Sequence, residues 1–176
     1  MKKLLTEVLS QIENNPFGEA FFIDNVYYTY EQFGNRIAAI RSCLAGLSEE
    51  ERIVGLAIHD DIDTYSAIFA LWMDGRAYVP LHPYHPLDRN KEIIRQIGIT
   101  TVIDSAEDSP YLDYGIVNAK SCQNQGLEIG APIDTENSEL AYVLFTSGST
   151  GVPKGHATHY NILSIEINTY FKNFFS

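Results

Sequence analysis

Positive charge is scarce in this chain: its 176 residues carry 12 lysines and arginines against 23 aspartates and glutamates, a formal net charge of −11. Polyanions and anionic membrane surfaces attract proteins through clustered cations, so this balance argues against a nucleic-acid partner and a membrane partner. Long apolar runs are also missing. Lys2 and Lys3 open the chain, but Glu7 interrupts the apolar stretch too early for a signal peptide or a membrane span. A cytoplasmic protein is expected.

Cysteine is nearly absent. Cys43 and Cys122 fit no zinc spacing and, read as solitary thiols, agree with a reducing compartment. Cys43 is expected as a small core residue on a helix and Cys122 as an exposed residue of a polar loop. The histidine pairs His82/His85 and His156/His159 invite a metal reading, but zinc needs a full ligand set, and none is legible. Pro83 and Pro86 place the first pair in an extended corner where side chains three apart share no face. Aromatics make up 12% of the chain without interleaved bases, which favours core packing over nucleic-acid stacking.

The pattern that is present alternates helices with strands. Leu4, Leu5, Val8, Leu9 and Ile12 recur at helical spacing up to Asn14-Asn15-Pro16. Ala20 to Ile23 and Val26 to Tyr28 form a hairpin around Asp24-Asn25. Thr29 and Gln32 make a capping box for a helix striped by Phe33, Ile37, Ile40 and Leu44. Strands over 52–58, 77–81 and 101–104 then alternate with helices over 61–74 and 87–97, with Gly75 as a left-handed helix end. His59, Asp60 and Asp61 end a strand and cap the helix after it. A weaker strand spans 114–117. This spacing predicts an α/β fold with a mostly parallel sheet flanked by helices, and no linker divides 1–176 into two domains.

The most informative segment is 144–155, Leu-Phe-Thr-Ser-Gly-Ser-Thr-Gly-Val-Pro-Lys-Gly. A β-prone run from Leu140 to Phe145 drops into small residues, so a strand delivers its end into a loop. Gly148 and Gly151 let backbone N–H groups turn inward. Thr146, Ser147, Ser149 and Thr150 add hydroxyls, and Lys154 adds a cation. These are the parts of a polyphosphate cradle, although the Walker spacing is not met.

The run from Thr146 to Gly155 resembles the phosphate-binding signature of acyl-adenylate-forming enzymes, the AMP-dependent synthetases and ligases. Residues 67–89, with Gly75, Ala77 to Leu81, Pro83 and Pro86, resemble the segment that peptide-synthetase-type adenylation domains place before that loop. The chain differs from the amino-acid-activating branch at His82, usually Asp, and His85, usually Tyr. The resemblance favours relatives of peptide synthetases and D-alanine-carrier-protein ligases. It implies that ATP is bound by Thr146, Ser147, Gly148, Ser149, Thr150, Gly151, Lys154 and Gly155, with Mg2+ travelling with the nucleotide rather than held in a protein-only cage. It also implies that an amino acid or other carboxylic acid attacks the α-phosphate, pyrophosphate leaves, and the acyl group passes to a thiol such as a carrier-protein phosphopantetheine.

By the same resemblance the chain is expected to be a truncated N-terminal subdomain with no C-terminal domain, inactive alone and with no assignable catalytic residue. Residues 161–175 read as a helix apolar on more than one face, which is expected to be covered by a fold that continues beyond Ser176, by a partner, or by folding back onto a local core. Two other readings are open: a nonenzymatic fragment that associates with a missing remainder, and a stand-alone nucleotide- or pyrophosphate-binding module.

Overall fold

The computed structural model describes residues 2–124, 128–133, 140–146, 153–160 and 162. Helix α1 (Lys2–Asn14) precedes a hairpin of β1 (Glu19–Ile23) and β2 (Val26–Thr29). Asp24 and Asn25 both take positive φ, 49° and 61°, the conformation a two-residue turn requires of them. Thr29 then caps α2 (Tyr30–Leu44). Its hydroxyl accepts from the Gln32 amide at 3.2 Å, and the Gln32 side chain accepts from the Thr29 amide at 2.8 Å.

The rest of the described chain builds a six-stranded sheet in the order β6-β5-β3-β4-β7-β8. Strand β3 (Ile53–Ala57) runs into α3 (Ile62–Met73), β4 (Ala77–Leu81) into α4 (Leu87–Ile97), and β5 (Thr101–Asp104) leads to β6 (Gly115–Asn118). Parallel pairing joins β6, β5, β3, β4 and β7 (Leu140–Thr146); β8 (Lys154–His159) pairs antiparallel with β7. The predicted α/β class holds.

Hydrophobic residues fill both faces, as covered parallel strands require. Val54, Leu56 and Ile103 pack with Ile37, Ile40 and Leu71 of α2 and α3. Val79, Leu81 and Val102 pack with Ile93 and Ile94 of α4. Asp61 caps α3 by accepting from the Thr64 amide at 2.7 Å, and Gly75 closes the helix with a φ of 65°. Rings of Phe21, Phe33, Phe69, Trp72, Tyr78 and Tyr142 touch in series from β1 to β7, with centroids 4.8 to 6.1 Å apart. Tyr27 departs from the core-packing expectation: it is 58% exposed and lies against Phe22 on the hairpin.

The cysteines are corrected outright. Cys43 and Cys122, 79 residues apart, form a disulfide that ties α2 to the turn after β6, with Cα atoms 6.2 Å apart. Their environments are the reverse of those expected, since Cys43 is exposed and Cys122 is buried. Cys43 sits near the C-terminal end of α2, off its apolar stripe. Cys122 follows a short turn whose carbonyls at Ala119 and Cys122 accept from Arg36. The argument from solitary thiols to a reducing compartment therefore falls. Among the described residues, no helix is long and apolar enough to cross a membrane. Apart from Ile162, the expected helix at 161–175 lies outside the described residues.

Candidate functional site

Strand β7 ends at Thr146 and β8 begins at Lys154, so the glycine- and hydroxyl-rich segment joins two adjacent antiparallel strands. The register places Phe145 opposite Gly155 and Thr146 opposite Lys154. Both Thr146 and Lys154 are exposed at the end of the ladder where the connecting segment leaves and re-enters the strands. Two residues eight apart in sequence, one carrying a hydroxyl and one an ammonium, are thus brought opposite each other across the ladder.

Gly155 has a packing role. A Cβ there would lie 3.0 Å from Phe145 Cζ, so glycine leaves room for the ring across the ladder. Ser147, Gly148, Ser149, Thr150 and Gly151 lie outside the described residues.

The base of the hairpin is fastened to the body. Trp72 Nε1 donates to the Ala141 carbonyl at 3.1 Å, fixing the start of β7 to α3. Just past β8, the Tyr160 hydroxyl donates to the Arg76 carbonyl at 3.2 Å, with Tyr160 almost fully buried. Arg76 in turn donates to the carbonyls of Ser48 and Glu51. Tyr78 pairs with Tyr142 across β4 and β7, and burial, with Tyr142 adjacent, pushes its phenol up to about 12. It packs as a neutral ring rather than as a proton donor.

Sequence reasoning did not find β8. Lys-Gly-His-Ala-Thr-His carries no alternating apolar signal, and its strand conformation is supplied by the β7 backbone at a sheet edge. His156 and His159 stand opposite Leu144 and Leu140 in that pairing. The first histidine pair is corrected. Residues 82–85 form a turn, closed by a 3.0 Å bond from the His85 amide to the His82 carbonyl, and it brings the two imidazoles to 5.6 Å. Another relationship also escaped the sequence: His59 Nε2 lies 2.9 Å from Asp104 Oδ1, joining the ends of β3 and β5.

Comparison with known proteins adds an independent line. Residues 9–173 match the family described as AMP-binding enzyme. A nonribosomal peptide synthetase of Aspergillus flavus, agiA, is 33% identical over 146 residues, covering 74% of this chain and 2% of its own length. Another from Aspergillus fumigatus, sidE, is 30% identical over 166 residues, covering 93% of this chain and 8% of its own length. This chain therefore spans a small fraction of those relatives. Among solved structures, the Legionella pneumophila fatty acyl-adenylate ligase in complex with acyl adenylate and pyrophosphate aligns with a TM-score of 0.82 at 22% identity, over 96% of this chain and 32% of that one. The Klebsiella oxytoca NpsA N-terminal subdomain aligns with a TM-score of 0.72 at 21% identity, over 91% and 40%. At such identities the alignments establish a shared fold.

Proposed function

The chain belongs to the AMP-binding enzyme family, and from that premise we propose that it forms the N-terminal, nucleotide-phosphate-holding portion of an ATP-dependent ligase that activates an amino acid as its adenylate. The observation that carries this reading is the hairpin that sets Thr146 beside Lys154 on a fastened base. The likeness to nonribosomal peptide synthetases supports an amino acid as the carboxylic acid.

In this reading Thr146 and Ser147 donate hydroxyl hydrogen bonds to the β- and γ-phosphates. The backbone N–H groups of Gly148, Ser149, Thr150 and Gly151 are the further donors this reading assigns to the phosphates, Gly155 leaves room for Phe145 across the ladder, and Lys154 neutralises charge. Mg2+ travelling with the nucleotide would add charge neutralisation to the phosphates these residues hold, and the carboxylate attacks the α-phosphate with loss of pyrophosphate. The sulfur of a thiol, a carrier-protein phosphopantetheine in the peptide-synthetase case, then attacks the acyl carbon, forming a thioester and releasing AMP. A cytoplasmic setting belongs to this proposal because ATP is the co-substrate.

These 176 residues supply the phosphate loop and its scaffold but do not complete the reaction alone, a reading supported by the small share of each relative that they span. Exchange of labelled pyrophosphate into ATP tests this. The purified chain is expected to show no amino-acid-dependent exchange, and exchange above the amino-acid-free background overturns the incomplete-site reading.

A further inference from the structure

The connection from β6, at one edge of the sheet, to β7, on the far side of β4, runs past α2 and α3. Its described residues contain one short helical turn, Ala119–Ser121, so regular structure of its own holds little of it in place. Ties to the two helices hold it instead.

Arg36 of α2 donates to the Ala119 carbonyl at 2.6 Å and to the Cys122 carbonyl at 2.9 Å, while its Nε donates to Asp63 Oδ1 at 2.7 Å. Asn124 donates to Asn35 Oδ1 at 3.3 Å, and Arg41 donates to the Ile129 carbonyl. The Ile133 amide reaches the Met73 carbonyl at the end of α3, at 2.7 Å. Each of these bonds contributes little net stability. The Cys43–Cys122 disulfide is the one covalent tie, and the chain has no third cysteine to compete for it.

Access divides the two partners. Cys43 is exposed near the C-terminal end of α2, whereas Cys122 is buried. Exchange begins when a thiolate reaches one sulfur, so an exposed partner keeps a disulfide labile. In the cytoplasmic setting proposed above, such pairs are typically transient and redox-sensing. The cellular relevance rests on that setting; the exchange itself does not depend on the nucleotide reading.

We propose that Cys43–Cys122 is an exchangeable disulfide switch, opened at Cys43 by a small cellular thiol, that sets the order of the β6–β7 connection. A thiolate attacks Cys43 Sγ, the bond to Cys122 breaks, and Cys122 leaves as a thiolate that takes up a proton. A second thiolate attacks the small-molecule sulfur of the mixed disulfide and releases the Cys43 thiolate. Two small thiols are thereby oxidised to their disulfide, and the protein disulfide is reduced to two thiols. Residues 119–124 and 128–133 are then held by the hydrogen bonds and by burial of Ala119 and Cys122 alone, and open locally while the sheet stays packed.

Glutathione is the probe. The oxidised full chain is incubated with millimolar glutathione in native buffer, quenched in acid, and its peptides are weighed. Loss of the disulfide is expected, with the trapped glutathione adduct on Cys43, and glutathione disulfide is expected to restore the bond. Amide hydrogen exchange at brief labelling times is expected to be about tenfold faster over 119–124 and 128–133 in the reduced chain, with β3 and β4 still protected. Cys43→Ser is expected to show the same local change without reductant. A bond that glutathione opens only in urea overturns the proposal, as does an adduct on Cys122. So does unchanged exchange over the connection, or loss of protection in β3 and β4 on the same timescale, which would make the disulfide a staple of the whole fold.

Discussion

Thr146 and Lys154 are cross-strand partners at the connected end of the β7–β8 ladder. The pairing gives the lysine a fixed origin beside a hydroxyl, although its side chain is exposed and long. If its role is charge neutralisation of phosphates, removal should be felt by ligands that carry them. Lys154→Ala is expected to weaken Mg-ATP binding about tenfold, the scale of a charge-assisted hydrogen bond, and leave adenosine binding unchanged. Paired calorimetric titrations check this, and equal losses for both ligands contradict it.

The indole of Trp72 fastens β7 through the Ala141 carbonyl, and both residues are buried. Trp72→Phe deletes that donor and part of the ring that touches Phe69 and Tyr78. A loss of about 1–3 kcal/mol is expected in urea unfolding. A change indistinguishable from zero would show that the hairpin base is held by other contacts.

Much of this scaffold was legible because its signals are local. The capping box at Thr29 and Gln32, the Asp24-Asn25 turn, and the limits of β4, α4 and β5 all follow from adjacent residue types. What was not legible depends on partners far along the chain. Strand β8 borrows its conformation from β7, Cys43 meets Cys122 across 79 residues, and His59 meets Asp104 only once β3 and β5 are neighbours. For the proposed phosphate site, residue types suggested the chemistry of Thr146 and Lys154, while their opposition required the pairing of β7 with β8.

The Cys43–Cys122 disulfide closes a long loop, and the chain-entropy account assigns such a closure about 4 kcal/mol. Cys43→Ser, at an exposed position, removes it without disturbing the core. The variant is expected to unfold at lower denaturant than the oxidised parent, and reductant is expected to lower the parent but not the variant. Identical midpoints for oxidised and reduced parent would contradict a stabilising disulfide.

Asp61 gives the pH dependence a sign. Burial raises its pKa, but hydrogen bonds from the Ser105 hydroxyl at 2.6 Å and the Thr64 amide at 2.7 Å outweigh burial and bring it below the ordinary aspartate range. A carboxyl with a depressed folded pKa adds stability that is fully present above its unfolded pKa and is lost as pH falls through the folded value. Asp61→Asn retains a cap without the charge. Its deficit relative to the parent is expected to be largest at neutral pH and to shrink in acid, as read from urea midpoints; a deficit constant across pH contradicts the assignment.

The central claim is that the β7–β8 hairpin holds a triphosphate. Calorimetric titration of the unaltered chain with Mg-ATP, beside an identical titration with adenosine, tests it most directly. Saturable heat with Mg-ATP and markedly weaker binding of adenosine is the predicted result. No heat at millimolar Mg-ATP, or equal affinity for the two ligands, would contradict it.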